Sequence, residues 1–199
     1  MAGFAGDEAT VRAALADDDE GVRAAALGAL VRLGRATAGD AAGAIGDASP
    51  VVRKRAAELA AALEAADFLP LLEDEDPTVV EAGCFALGEV REAAAVGRLA
   101  EIAVSHDDAL CRESAVAALG AIGDPAGLPA VLAALRDKPA VRRRAVIALA
   151  PFDGPEVDGA LRRALDDRDW QVRQAAEDLL SPAAEPAPIA EPAATDLLS

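Results

Sequence analysis

One sequence unit recurs six times along the chain, and this repetition limits the possible folds more than any other feature. Each copy has an anchor, called position 0 below, followed by a small residue at position 4 and by Leu or Ala at position 8. The copies begin about 30 residues apart, a period that is typical of stacked helical units. The six anchors are Val22, Val52, Val79, Cys111, Val141 and Val172.

The spacing inside each unit predicts one amphipathic helix, which we call helix B. Positions 0, 4, 7, 8 and 11 fall within one arc of about 100° on a helix. A less regular apolar segment precedes each B helix and predicts a second helix, helix A. Acidic residues and prolines in the turn between A and B suit the exposed amides at a helix start. The six A segments are residues 11–15, 41–45, 68–72, 96–104, 128–135 and 157–165.

The composition favours helices over strands. Tyr is absent and aromatic residues make up only 3% of the chain, so the core must be built from Ala, Leu, Val and Ile. Ala and Leu are good helix formers, whereas strands are enriched in β-branched and aromatic residues. We therefore predict an all-α domain over residues 1–181 with about six two-helix repeats, or about twelve helices.

The repeat resembles the short HEAT-like repeats first named for phycobilisome lyases. The resemblance covers residues 7–180 and is most specific in residues 17–34 (D-D-D-E-G-V-R-A-A-A-L-G-A-L-V-R-L-G) and 111–124 (C-R-E-S-A-V-A-A-L-G-A-I-G-D). The chain departs from the pattern where Val80 replaces an Arg and where Cys111 replaces a Val. The resemblance implies a right-handed α-α superhelix, a HEAT-like solenoid, with A helices outside and B helices lining a concave groove.

An arginine follows most anchors, and an aspartate lies in most turns. One interpretation is a stripe that binds anions. HEAT-like families, however, use such Arg and Asp ladders to tie one turn to the next, and we favour this structural role. The rows are Arg23, Arg53, Arg112, Arg142 and Arg173, and Asp17, Asp47, Asp74, Asp137 and Asp167.

The sequence lacks the residues that catalysis would need. His106 is the only histidine, so neither a Ser-His-Asp set nor the His-rich di-iron centre of the HEAT-like deoxyhypusine hydroxylases is possible. Cys84 and Cys111 lie at inward positions and should behave as small apolar residues. The chain has no G-x-x-x-x-G-K phosphate loop and no aromatic cluster for a phycobilin. We predict a protein that is not an enzyme and has no cofactor or metal.

The charge limits the possible partners. Thirty-five acidic and nineteen basic residues give a formal charge of -16, and such a surface repels the phosphates of nucleic acids. This acidic, Lys-poor balance favours a protein from a salt-rich cytoplasm, with an ordinary acidic cytosolic protein as the alternative. No apolar run reaches the ~18 residues of a membrane span. We expect a cytoplasmic protein that binds neither nucleic acid nor membrane.

Positions 2, 6 and 9 of helix B point away from its apolar arc and are predicted to face the groove. Position 9 holds small residues such as Gly88 and Gly120, while Phe85 and Ile147 project at position 6. Large exposed apolar residues on a charged protein indicate a partner. The predicted function is a non-catalytic scaffold or adaptor that binds a protein; the alternative is an accessory enzyme subunit or a lyase-like enzyme. The predicted partner-binding residues are Lys54, Glu58, Glu81, Phe85, Glu113, Arg143 and Ile147.

Residues 182–199 break the repeat and contain four prolines. Such a segment, rich in Pro, Ala and Glu, cannot bury enough apolar surface to offset its ordering. We therefore predict a disordered tail. An alternative is that Asp196-Leu197-Leu198 serves as a docking motif.

Overall fold

The computed structural model describes residues 3–63 and 66–181, with side chains from residue 8 onward. These residues form α-helices and short 3-10 helices without any strand, which confirms the all-α prediction. The predicted tail, residues 182–199, lies outside the described residues. The helices are α1 (Gly3–Ala14), α2 (Glu20–Arg32), α3 (Ala38–Ile45), α4 (Pro50–Glu58), α5 (Pro77–Glu89), α6 (Val96–Ser105), α7 (Ala109–Ile122), α8 (Leu128–Ala134), α9 (Pro139–Ala148), α10 (Pro155–Ala164) and α11 (Trp170–Leu180).

The helices form two layers. The B helices α2, α4, α5, α7, α9 and α11 pack side by side in chain order. The A helices α1, α3, α6, α8 and α10 form the other layer, and their contacts with one another are less extensive than those between B helices. This asymmetry is expected when the B layer lies on the inner side of a curved stack. The chain is therefore an α-α solenoid.

The A element of the third repeat is not an α-helix. The sequence predicts a helix over residues 68–72, but the structure has a 3-10 helix, Leu69–Glu73. The five-residue segment is too short to complete two α-helical turns, and short segments often adopt 3-10 hydrogen bonding. The described residues consequently contain eleven α-helices instead of about twelve. The other 3-10 helices are Ala60–Ala62, Ala93–Ala95 and Pro125–Gly127.

The acidic turns start the B helices as predicted. In five of the six, the side chain three residues before the anchor accepts a hydrogen bond from a backbone N–H of the first helical turn. Such N-caps satisfy amides that have no partner inside the helix, each stabilising it by about 1 kcal/mol. Helix α9 is the exception, because Lys138 stands at its start. The five capping residues are Asp19, Ser49, Asp76, Asp108 and Asp169.

The core consists of small and aliphatic side chains between the two layers. Position 8 is buried in the first five repeats, where it holds leucines such as Leu87 and Leu119 or, in the second repeat, alanine. The anchors of repeats two to six are also buried. The prediction that all six anchors point inward is wrong for Val22, which is 40% exposed because none of the described residues forms a repeat in front of it.

Among the described helices, none has both the length and the apolar content that crossing a membrane would require.

Candidate protein-binding surface

An Arg–Asp ladder fixes the spacing of the B helices. In each rung the Nε and Nη2 atoms of an arginine donate to both carboxylate oxygens of an aspartate in the next turn, at 2.6–2.9 Å. The same arginine donates through Nη1 to one or two backbone carbonyls of its own turn. Each arginine therefore clamps two consecutive turns, which confirms the structural role. The rungs are Arg23–Asp47, Arg53–Asp74, Arg112–Asp137 and Arg142–Asp167.

The ladder aspartates are held in their charged form. The hydrogen bonds from the arginine lower the pKa of each carboxyl below its ordinary value, and a backbone N–H of the same turn lowers it further. Partial burial acts in the opposite direction but does not prevail. The ladder is therefore intact at neutral pH.

One rung is missing, between the third and fourth repeats. Val80 occupies the arginine position and is buried, while His106 occupies the aspartate position. The Nδ1 atom of His106 accepts the backbone N–H of Asp108 at 3.1 Å, as the ladder aspartates do in their own turns. His106 thus keeps the bond that shapes the turn but offers no carboxylate to a preceding arginine.

Glycines at position 9 allow the B helices to approach closely. A Cβ atom at Gly88 would lie 2.9 Å from Ala118 Cα, and one at Gly120 would lie 2.7 Å from Ala148 Cα. Both separations are too short for real carbon atoms. The prediction that position 9 faces the groove is therefore wrong for these two glycines, because they pack against the next B helix.

Positions 2 and 6 place the predicted site residues on consecutive B helices, α4, α5, α7 and α9. Phe85 and Ile147 at position 6 are 59% and 39% exposed. Phe68 and Phe152, the other phenylalanines from residue 8 onward within the described part of the chain, are buried. Of the charged residues, Glu58 and Arg143 are exposed, whereas Lys54, Glu81 and Glu113 are half-buried.

Two exposed apolar residues on the same face were missed by the sequence analysis. Val51 and Leu110 are 46% and 56% exposed. Both stand one residue before an anchor, and on a helix this place differs from position 6 by only about 20°. The helical period carries this signal at a position before the anchor, whereas the predicted site residues all follow their anchors. We call Phe85, Leu110 and Ile147, on α5, α7 and α9, the apolar row.

Charged side chains flank the apolar row. Arg144 Nη2 lies 3.4 Å from Glu113 Oε1, an ion pair that joins α9 to α7. A shallow groove of about 280 Å³ lies along α4. Its charged lining includes an ion pair between Arg55 Nη1 and Glu58 Oε2, 2.9 Å apart. The groove is lined by Val51, Lys54, Arg55, Glu58, Asp76 and Thr78, among others.

The remaining reactive groups are placed for packing. Burial raises the pKa of the Cys84 thiol to about 12 and that of Cys111 to about 11, so neither forms a nucleophilic thiolate at neutral pH. The Sγ atom of Cys111 donates to the backbone carbonyl of Pro77 at 3.1 Å. Within residues 3–63 and 66–181, no three His, Cys, Asp or Glu side chains are grouped to hold a metal ion.

The two helical layers, the ladder and the exposed apolar row define an α-α solenoid repeat protein. A family of HEAT repeats matches three overlapping segments, residues 41–120, 65–140 and 98–181. The chain belongs to this family. No curated protein matches the chain.

Solved structures show the same architecture at low sequence identity. An engineered protein is 20% identical, with a TM-score of 0.65 over 87% of this chain and 97% of that one. A designed armadillo repeat protein is 17% identical, with a TM-score of 0.60 over 87% and 98% of the two chains. The Escherichia coli protein YibA is 17% identical, with a TM-score of 0.61 over 90% of this chain and 75% of its own. These similarities establish the fold alone.

Proposed function

We propose that the chain is a non-catalytic scaffold or adaptor that binds a protein partner along the concave face of its B helices. The observation that carries this proposal is the exposure of Phe85, 59%, on the side of the B helices that also carries the exposed Leu110 and Ile147. Interfaces concentrate their binding energy in a few aromatic or aliphatic side chains that become fully buried. The apolar row supplies such anchors on three neighbouring helices.

The shape and charge of the row suit a helix or an extended segment of the partner. Neighbouring B helices lie about 8–10 Å apart, so the row extends roughly 20 Å across three helices. The acidic Glu81 and Glu113 and the basic Arg143 lie on the same helices as the apolar row. They would select a partner segment that carries both positive and negative side chains around an apolar stripe. Lys54 and Glu58, beside the groove on α4, would extend this contact.

Affinity capture from the source cell with matched variants tests this site. Replacement of both Phe85 and Ile147 by Asp should abolish capture of the partner while leaving helicity unchanged, because both side chains are exposed. The control is Val104→Asp, which changes an equally exposed side chain, 58%, on the outer helix α6. The proposed site is wrong if a folded Phe85→Asp/Ile147→Asp chain captures the same proteins as the wild type.

We also propose that the repeats are of the short HEAT-like type first named for phycobilisome lyases, but without lyase chemistry. An accessory enzyme subunit or a lyase-like enzyme is the alternative function. An absorption spectrum distinguishes the scaffold from the lyase-like enzyme. A lyase-like protein purified from its own cell would retain a chromophore that absorbs visible light. An absorption spectrum with no visible band, together with the capture result above, supports the scaffold.

The charge of -16 supports the further proposal of a salt-adapted cytoplasmic protein. Like charges repel within the folded chain, and added cations screen this repulsion. The thermal unfolding midpoint should therefore rise between dilute buffer and molar KCl. A midpoint that stays constant or falls would point to an ordinary acidic protein.

A further inference from the structure

Two positions that are buried inside the array are exposed at its two ends. Position 0 is at most 2% exposed in repeats two to six, but Val22 in the first repeat is 40% exposed. Position 8 is at most 4% exposed in repeats one to five, but Leu180 in the sixth is 40% exposed. Position 0 is thus covered by the preceding repeat and position 8 by the following one. The described array presents one uncovered position at each end.

The ladder is also open at these ends. Arg173 donates to the backbone carbonyl of Asp167 at 2.8 Å, but none of the described carboxylates pairs with its guanidinium. The carboxylate of Asp17 accepts the backbone N–H of Asp19, and none of the described arginines bonds to it. Arg173 and Asp17 are therefore the two unmatched halves of a rung.

Trp170 lies on the same end face as Arg173 and Leu180. Trp170 is the first residue of α11, and Glu20 is the equivalent first residue of α2. The Glu20 carboxylate accepts a hydrogen bond from Ser49 Oγ of the next repeat at 2.5 Å. A side chain at this place therefore reaches toward the following repeat. Trp170 is 64% exposed. A solenoid end that is fully adapted to water has a polar outer face instead.

We infer that a second copy of this chain stacks on this end and reproduces the junction found between repeats. Arg173 of one copy pairs with Asp17 of the next, and Leu180 and Trp170 cover Val22. The two surfaces lie at opposite ends of the array, so the interface is heterologous, and copies add in open chains instead of closed dimers.

Glu177 makes this junction weaker than those inside the chain. It occupies position 5, and its carboxylate loses water when copies stack. Each copy also carries a charge of -16, so long-range repulsion opposes the contact. The association is therefore reversible and depends on concentration. The buried equivalents of Glu177 are Leu27, Ala57, Cys84, Val116 and Val146.

Sedimentation of the full chain at increasing concentration, in salt that screens its charge, measures this association. The average mass should rise steadily above the 20.1 kDa of the monomer. Glu177→Leu should shift the rise to lower concentration. A mass that stays at the monomer value throughout overturns the inference. It does so also if the reason is that residues 182–199 cover the end face.

A charge swap identifies the residues that form the contact. Asp17→Arg and Arg173→Asp should each abolish association, although they change the net charge in opposite directions, by +2 and by -2. The double variant, with both changes in every copy, should associate again because the rung is restored in reverse. Asp18→Arg is the control: it makes the same charge change as Asp17→Arg beside the rung and should still associate. Association of the folded single variants, or failure of the double variant to recover, overturns the assignment.

Discussion

Arg142 donates to both carboxylate oxygens of Asp167 in the next turn, at 2.9 and 2.7 Å, and to the backbone carbonyl of its own turn at 2.8 Å. Arg142 is only 5% exposed, which is unusual for an arginine. Both its charge and its donors are satisfied, so the burial is tolerated. This pair joins α9 to the turn before α11.

Arg142→Ala should destabilise the fold by ~2 kcal/mol, because it leaves the Asp167 carboxylate and a backbone carbonyl without their donor. Arg173→Ala is the matched control, since Arg173 has the same place in its repeat but no carboxylate partner among the described residues. Its cost should be below about 1 kcal/mol. Urea unfolding of dilute protein, followed by circular dichroism, measures both. Equal losses in the two variants would show that the rung itself adds nothing.

The missing rung can be added. Val80→Arg alone should destabilise the fold by about 3–5 kcal/mol, since it buries a guanidinium that has no carboxylate partner. Addition of His106→Asp should recover at least ~1 kcal/mol of this loss, because the two residues then complete the rung. A double-mutant cycle from urea unfolding gives the coupling energy. A coupling of zero would mean that Val80 and His106 do not stand in equivalent places to the other rungs.

Acid should weaken the ladder. The pKa values of Asp47, Asp74, Asp137 and Asp167 are lowered in the folded chain by their arginines, so the unfolded chain binds protons first as the pH falls. The ladder's contribution is present above the ordinary Asp pKa of about 3.9 and is lost as the pH falls through the lower folded values. The thermal unfolding midpoint should therefore fall as the pH is lowered through this range. Asp167→Asn, which removes one such carboxyl, should show a smaller drop than the wild type.

Gly120→Ala should destabilise the fold by about 1–3 kcal/mol, because its Cβ would lie 2.7 Å from Ala148 Cα and would push α7 and α9 apart. Gly43→Ala is the control, since a Cβ atom there meets nothing within 4 Å. That change should stabilise α3 by about 0.5–1 kcal/mol, because alanine has the higher helix propensity. Thermal unfolding compares the two. Similar effects of the same sign would contradict the close approach of the B helices.

The sequence was sufficient to predict the repeats, because the same apolar spacing recurs at every anchor. The ladder followed from the regular recurrence of Arg and Asp. The prediction failed where a residue's surroundings depend on its neighbours in space. Position 9 was expected to face the groove, but Gly88 packs on Ala118 because glycine allows the helices to approach.

The candidate site was only partly predictable. From the helical period alone, Phe85 and Ile147 could be assigned to the side of helix B that points away from its apolar arc. Leu110 could not be found by the same positions, since it precedes its anchor. The helical period places Leu110 within about 20° of position 6, but only the structure shows that its side chain is exposed.

Titration calorimetry with the captured partner tests the central claim, that the concave apolar row binds a protein. Phe85→Ala should weaken binding by about 2 kcal/mol, or about 30-fold in Kd, if this side chain is an anchor. Val104→Ala, on the outer layer, should leave the Kd unchanged. A folded Phe85→Ala protein that binds with the wild-type Kd would contradict the claim.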